Sequence, residues 1–272
     1  MGLVMRLAWR NLWRQPKRTL LTTGAMVFSN ILLVFMISLQ FGMYGLMIEN
    51  GLKVFTGHLQ IQAPGYVDEA KMRLTVPDAA ALASAVRQES NLDAAARGST
   101  FALVSSEERT YGVAVLGVEP AHEPEISSLP GLVKEGRYLD APAAAEIVIG
   151  RTLARNLKVE LGDELTMLGS GLDGSFAAAV LEIVGIFDSG VTAIDRSFSV
   201  IPLATFQEVF FMRGSAHMVV VTAPTLADVP AAKQRVQALL AGHDQLVVHD
   251  WDRLEPALKQ TIQADISSAV FT

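Results

Sequence analysis

The sequence contains no cysteine, which excludes disulfide bonds, thiolate metal sites and thiol catalysis. It also lacks the G-x-x-x-x-G-K-[ST] pattern, so the chain has no P-loop of its own for ATP. No G-x-S-x-G turn occurs, and the five histidines are scattered without the spacing of metal ligands. We therefore expect no catalytic residue, no metal and no other cofactor in this chain, and we do not interpret the chain as an enzyme.

Charge is absent from residues 19–48, where no Asp, Glu, Lys, Arg or His occurs. A helix of that length reaches about 45 Å, more than the roughly 30 Å of a bilayer's hydrocarbon core. A cleavable signal peptide is the competing interpretation. It fits poorly, because signal peptides have apolar runs of about 7 to 15 residues that end in an A-x-A-like site, and no such site follows here. The pattern predicts a transmembrane helix over residues 19–48.

Acidic residues are absent from residues 1–18, which carry five basic ones. By the positive-inside rule this end stays in the cytoplasm, and the residues after the helix lie outside a plasma (inner) membrane. The basic side chains recur every three or four residues opposite an apolar side with tryptophan, which predicts an amphipathic helix on membrane lipids. Pro16 is expected to break it. The predicted membrane-interface residues are Arg6, Trp9, Arg10, Trp13, Arg14, Lys17 and Arg18.

Small and polar side chains interrupt the apolar run. Ala25 and Ser29 are four residues apart, as are Ser38 and Gly42, and Asn30 is polar at membrane depth. Such side chains let helices approach closely or bond to one another, so all five are candidates for helix packing. The alternative is ordinary composition, because glycine is common in spanning helices.

The rest of the chain has little positive charge. Residues 49–272 carry 17 basic and 28 acidic side chains, a formal charge of −11, because five basic residues precede the apolar run. This balance argues against nucleic acid or anionic lipid as a partner of the outer part. The length suffices for one large domain or two small ones.

Short periodic stretches predict a membrane-anchored α+β fold. Strands are expected over residues 57–62, 101–104, 111–118, 146–149, 180–187 and 198–201, and helices over residues 77–89 and 151–157. Asp78 is expected to cap the first of these helices. The last third predicts a β-α-β unit, with strands 217–222 and 246–249 around a helix over residues 227–240. Residues 119–130 are the linker candidate, and His122 to Glu125 are expected as a solvated acidic turn.

One glycine-rich stretch could be mistaken for a nucleotide site. Residues 169–174 match G-x-G-x-x-G, but a phosphate-binding loop needs a helix that begins inside it. Residues 181–187 continue instead as a run typical of a strand. We therefore predict a β-hairpin tip that binds no nucleotide.

Several stretches in order resemble a known family. Residues 7–19, before the first apolar run, and residues 57–61, after it, resemble FtsX-like ABC-transporter permeases of the MacB and lipoprotein-releasing (LolC/LolE) type. Further similar stretches are residues 135–139, 146–150, 161–163, 184–187 and 251–265. The resemblance implies four spanning helices, with a periplasmic domain between the first two that has a porter-like α+β part and a mainly β sabre part.

The resemblance also implies boundaries. These are a cytoplasmic segment 1–18, transmembrane helix 19–48, a MacB-like periplasmic core domain 49–258 and the start of a second transmembrane helix, 259–272. The porter-like part is expected over about 52–118 and 205–252, and the sabre-like part over about 119–204. Since the sequence ends where a second helix would begin, we interpret it as the N-terminal half of such a permease.

The implied function is that of a permease subunit in an ABC transporter. It would form a homodimer or heterodimer, bind a separate ABC ATPase, and relay ATP-driven motion to its periplasmic domain. Lipoprotein release or amphiphile export is the implied task, with a periplasmic lipoprotein or adaptor as a further partner and no nucleic acid. The alternative is a single-pass membrane-anchored periplasmic binding or sensory module, which needs no further helices.

Overall fold

A computed structural model describes residues 13–243 and 245–261, together with Gly2, Trp9 and Ala264. The chain divides into two compact units, Met1–Ile48 and Glu49–Thr272, which are described separately. Two predicted interface residues, Arg6 and Arg10, lie outside the described residues. So does most of the predicted start of a second transmembrane helix, at residues 262–263 and 265–272.

Helix α1 (Pro16–Val54) confirms the predicted long helix and extends beyond both of its expected ends. Its most apolar part has a mean hydropathy of 2.1, so the helix is long and apolar enough to cross a membrane. It begins at Pro16, a favoured first position because proline has no N–H to leave unbonded. The carboxyl-terminal residues 49–54 of this helix belong to the second unit.

The second unit is an α+β structure, as predicted. Its strands are β1 (Leu59–Gln62), β2 (Asp93–Ser105), β3 (Thr110–Val118), β4 (Val133–Gly136), β5 (Glu146–Gly150), β6 (Glu164–Ser170), β7 (Phe176–Phe187), β8 (Phe198–Pro202), β9 (Met218–Thr222) and β10 (Val247–Asp250). Its helices are α2 (Ala79–Ser90), α3 (Glu123–Ile126), α4 (Arg151–Leu157), α5 (Thr192–Ser197), α6 (Leu203–Val209), α7 (Val229–Leu239) and α8 (Trp251–Leu254). Short 3₁₀ turns occupy Leu129–Leu132 and Leu226–Asp228.

The strands of the described part form one mixed sheet in the order β10-β1-β9-β2-β3-β8-β5-β7-β4, and β6 pairs with both β2 and β7. Strand β1 lies antiparallel between β9 and β10, so the predicted β-α-β unit of β9, α7 and β10 is confirmed. Leu59 and Ile61 of β1 are fully buried in a core with residues of α2 and α7. Side chains alternate between the two sides of β1, so Gln60 and Gln62 face the other side, where they are buried as well.

The antiparallel hairpins β2–β3 and β6–β7 enclose a second core. Phe206 of α6 and Phe210, which follows this helix, are fully buried in this core with Met167 of β6. The hairpin tip predicted at residues 169–174 is confirmed, because Ser170 pairs with Phe176 and a turn joins the two strands. The two-part division into porter-like and sabre-like segments, with its boundaries, stays a prediction.

Three local predictions are wrong. Residues 119–130 are not a linker, since they contain α3, and Glu123 at its start is completely buried instead of lying in a solvated turn. Asp78 does not cap α2 with its side chain. Its backbone is left-handed, with φ of 44°, whereas a capping residue takes an extended conformation that aims its side chain at the first turn.

Candidate functional site

The predicted membrane-interface residues that the structure describes are all exposed. Trp9 and Trp13 are 66% and 68% exposed, and their rings meet edge-on with centroids 6.4 Å apart. Arg14, Lys17 and Arg18 are exposed as well. An exposed tryptophan pair beside basic side chains fits a membrane surface, and the assignment stays a prediction.

The predicted helix-packing residues Ala25, Ser29, Asn30, Ser38 and Gly42 are all exposed on α1. Asn30 donates its side-chain N–H to the carbonyl of Met26 at 2.9 Å, which satisfies part of its amide within the helix. A Cβ added at Gly42 would meet nothing within 4 Å. Their role in contacting other helices therefore stays a prediction.

A more specific arrangement binds the carboxyl-terminal end of α1. The last carbonyls of a helix have no partner inside the helix, so other groups must bond to them. Here four successive carbonyls are each bound within the second unit. Leu52 O accepts from Gly57 N at 2.8 Å, Lys53 O from Ser128 N at 2.9 Å, Val54 O from Ser127 Oγ at 2.7 Å, and Phe55 O from Arg97 Nη1. We call residues 52–55 with Arg97, Glu123, Ser127 and Ser128 the junction.

Arg97 is the central side chain of the junction. It lies on β2, is 1% exposed, and forms a two-fold ion pair with Glu123 of α3. Its Nη2 donates to Glu123 Oε1 at 2.5 Å, and its Nε donates to Oε2 at 3.2 Å. The third nitrogen of the guanidinium, Nη1, donates to Phe55 O. One planar side chain therefore joins the end of α1, strand β2 and helix α3.

Burial dominates the electrostatics of the junction. It raises the pKa of Glu123, while the charge and hydrogen bonds of Arg97 act in the opposite direction. We assign the pair as ionised, because the guanidinium is charged at all relevant pH values and both carboxylate oxygens accept from it. Burial also raises the pKa of Tyr138 well above its usual value, and its hydroxyl has no partner among the described residues.

Apolar packing and a further hydrogen bond just beyond α1 support the junction. Leu52 is 1% exposed, and the ring of Phe55 stacks on Phe198 of β8 with centroids 4.7 Å apart. Thr56 Oγ1 donates to Glu255 Oε1 at 2.7 Å, across most of the chain length. The end of α1 is thus bound both to the sheet and to the segment that follows α8.

Another buried titratable group, His217, has structural partners. His217 Nδ1 accepts from Ser99 N at 2.9 Å, and Nε2 lies 3.2 Å from the carbonyl of Met72. Burial lowers the pKa of His217 to about 4, so the ring is neutral near pH 7. In the part of the chain that the structure describes, no group of three or more His, Asp and Glu side chains could hold a metal ion.

Sequence reasoning missed both Arg97 and Glu123. A signal was present for the arginine, because its neighbours over residues 94–98 are alanine and glycine, which are among the residues most often fully buried. A buried arginine needs an acceptor, since an unpaired buried charge is very costly. Nothing in the sequence indicates which carboxylate supplies it, because Glu123 lies 26 positions away.

Comparison with known proteins identifies the family. The family model described as the MacB-like periplasmic core domain matches residues 19–239, most of the chain. The chain belongs to this family. It carries the MacB-like periplasmic domain of an ABC-transporter permease, preceded by a membrane-spanning helix. No curated protein matches the sequence.

Two solved structures share the fold of the MacB-like domain. The periplasmic region of MacB from Actinobacillus actinomycetemcomitans is 14% identical, with a TM-score of 0.56, and the match covers 80% of this chain and 98% of that one. The extracellular domain of the noncanonic ABC-type transporter YknZ, from Gram-positive bacteria, is 13% identical, with a TM-score of 0.52. That match covers 71% of this chain and 98% of the YknZ domain. At these identities the likeness shows the fold alone.

Proposed function

We propose that this chain is a permease subunit that relays movement of its membrane helix, driven by a separate cytoplasmic ATPase, into its periplasmic domain. The observation that carries this proposal is the junction, where the carbonyls of Lys53, Val54 and Phe55, at and just after the end of α1, accept from groups of that domain that are far away in the sequence. A helix that only anchors a domain needs no such fixation, because water can satisfy its last carbonyls.

The junction is suited to passing force on to the sheet. A displacement of residues 52–55 pulls on Arg97, which belongs to the central strand β2, and on Ser127 and Ser128, which follow α3. Breaking one side of a buried ion pair costs about 3–5 kcal/mol, because it leaves an unpaired buried charge. The end of α1 and its neighbours are therefore expected to move together.

The remaining features support a place in the plasma (inner) membrane. The five basic residues before α1 favour a cytoplasmic amino terminus, so the residues after the helix are expected on the periplasmic side. The small side chains on α1 would contact a second permease copy or a related subunit, as homodimer or heterodimer. Lipoproteins or other amphiphiles are the proposed cargo, delivered with a periplasmic lipoprotein or adaptor protein.

The test compares Glu123→Gln with a surface variant in the full-length permease, reconstituted with its ATPase. Glu123→Gln removes the charge that holds Arg97, and we expect cargo release per ATP hydrolysed to fall at least about tenfold while basal ATP hydrolysis persists. Asp68→Asn removes an exposed pair with Arg253 and serves as the control, with no change expected. Normal coupling in a folded Glu123→Gln permease would overturn the proposal and favour an anchored binding or sensory module.

A further inference from the structure

One side of the sheet is open to solvent at strands β2, β6 and β7. Side chains alternate between the two sides of a strand, so six apolar residues project together on this side. Their neighbours in sequence, such as Val104 and Met167, are fully buried on the opposite side. The six residues, which we call the open face, are Phe101, Leu103, Leu168, Phe176, Ala178 and Val180.

The open face crosses neighbouring strands and is mostly exposed. Leu103 pairs with Leu168, which in turn pairs with Ala178, so one row crosses three strands. The exposed fractions of Phe101 and Phe176 are 68% and 72%. The ring of Phe101 also lies over Gly112 of β3, where an added Cβ would be 2.6 Å from the ring. The apolar surface therefore extends onto a fourth strand.

The open face is of functional size. Four strands about 4.8 Å apart, with same-side residues about 6.8 Å apart along each strand, give a footprint of about 20 by 20 Å. This footprint of about 400 Å² also includes the polar Thr166 and Ser170 of β6, which face the same side, and it is of the size of the largest apolar patches on monomers, which are often functional. It is well below the roughly 800 Å² per partner of a standard protein interface.

A negatively charged hollow adjoins the open face at Val180. It has a volume of about 720 Å³ and is lined in part by four carboxylates and one lysine. The lysine, Lys158, bonds to one of the carboxylates, Glu108, at 3.0 Å, so the hollow keeps an excess of negative charge. The charged lining residues are Glu107, Glu108, Asp163, Glu164 and Lys158.

We propose that the open face binds an amphipathic helix of a partner protein, which places a lysine or arginine in the acidic hollow. A helix with side chains is about 10 Å wide, and about 13 residues span 20 Å, so one helix fits the footprint. The charge of the hollow selects a basic residue at one end of that helix. This binding site is independent of the proposed relay of helix movement into the domain, because none of the junction residues belongs to the open face.

Other occupants fit less well. Small molecules bind in concave sites, whereas the open face is the side of a sheet. A second copy of this chain would bring another −11 charge and no basic residue on its own open face to enter the hollow. Anionic lipids would be repelled by the same carboxylates.

Binding is tested with the full chain in detergent and a fluorescent 14-residue helical peptide that has one leucine face and a terminal lysine. We expect Leu103→Ser and Phe176→Ser each to weaken binding at least about tenfold. The control Val191→Ser changes a side chain that is 50% exposed elsewhere on the unit and should leave binding unchanged. Since all three side chains are exposed, the variants should fold, and circular dichroism verifies this.

The charge requirement is tested with a second peptide in which glutamine replaces the lysine. Glu164→Gln should weaken binding of the lysine peptide about two- to fivefold, as expected for one exposed charge pair, and leave the glutamine peptide unaffected. No binding, equal binding of both peptides, or equal losses in Val191→Ser and Phe176→Ser would overturn the proposal.

The natural occupant is identified in cells by a photo-crosslinking amino acid at position 176 of the full-length protein. We expect an adduct whose cross-linked segment, mapped by mass spectrometry, is an amphipathic helix with a lysine or arginine at one end, and we expect Leu103→Ser to abolish it. A cross-link to a second copy of this chain, to lipid alone, or to nothing would overturn the proposal. The same amino acid at the exposed Gln88 controls for random contacts.

Discussion

The ring of Phe206 lies directly against Gly98, so closely that an added Cβ on the glycine would collide with three ring atoms. Phe206 belongs to α6, and Gly98 follows the junction arginine on β2. Gly98 pairs with Gly117 of β3, which would collide with Phe206 in the same way. Two glycines on neighbouring strands thus make room for one buried ring, and this contact fixes α6 on the sheet beside Arg97.

We therefore expect Gly98→Ala to destabilise the domain by about 1–3 kcal/mol, the usual cost of overpacking a dense core. Denaturant unfolding measures the change. Gly131→Ala is the matched control, since nothing lies within 4 Å of its added Cβ, and it should stay within about 0.5 kcal/mol of the parent. Equal stability of Gly98→Ala and the parent would contradict the close contact.

The buried ion pair should dominate stability at the junction. Arg97→Met leaves the Glu123 carboxylate buried without its partner, and we expect a loss of about 3–5 kcal/mol. Asp68→Asn removes an exposed pair instead and should cost less than about 1 kcal/mol. Unfolding of both variants at the same denaturant concentration would contradict a tight buried ion pair between Arg97 and Glu123.

Stability should fall as the pH is lowered from about 6.5 to about 4, in part because of His217. Its pKa is lowered to about 4 in the folded state by burial, so in this window the unfolded chain binds a proton that the folded chain does not. The contribution is about 3 kcal/mol when fully developed. His217→Gln should flatten the dependence of unfolding free energy on pH. An unchanged slope in this variant would show that other groups cause it.

Membrane topology is testable because the chain has no native cysteine. Cysteines introduced at Ser106 and Ser170 should react with an impermeant thiol reagent in intact spheroplasts, whereas one at Gln15 should not. The reason is the excess of basic residues before α1, which retains that end in the cytoplasm. The reverse labelling pattern would contradict the proposed orientation.

Helix packing is tested by enlarging small residues on α1. Ser29→Leu and Gly42→Leu should impair cargo release by the full-length permease, because close approach of helices depends on small side chains. Leu33→Ile, at an exposed position that already holds a large apolar residue, is the control. Circular dichroism and chromatography should show folded protein in each case. Normal release by both bulky variants would contradict the packing role.

Local pattern was sufficient for much of the fold. The long helix follows from the absence of charge, the strand β1 from alternation, and the hairpin tip at residues 169–174 from the strand-like run after it. The helices α5 and α6 were not predicted. Both helices are short, and the positions of their buried residues depend on the core around them and not on a regular apolar pattern in the sequence.

The sequence by itself determined that this protein has a membrane-spanning helix followed by an acidic α+β domain, because hydropathy and charge act locally along the chain. Only the tertiary structure decided that Glu123 is a buried partner of Arg97, and that Phe101 and Phe176 share one open face. Partners far apart in sequence meet only through strand register and packing. Glu123 lies in a Pro- and Glu-rich stretch, which in the sequence is typical of a solvated turn. The fold instead buries its carboxylate near the end of α1 and strand β2.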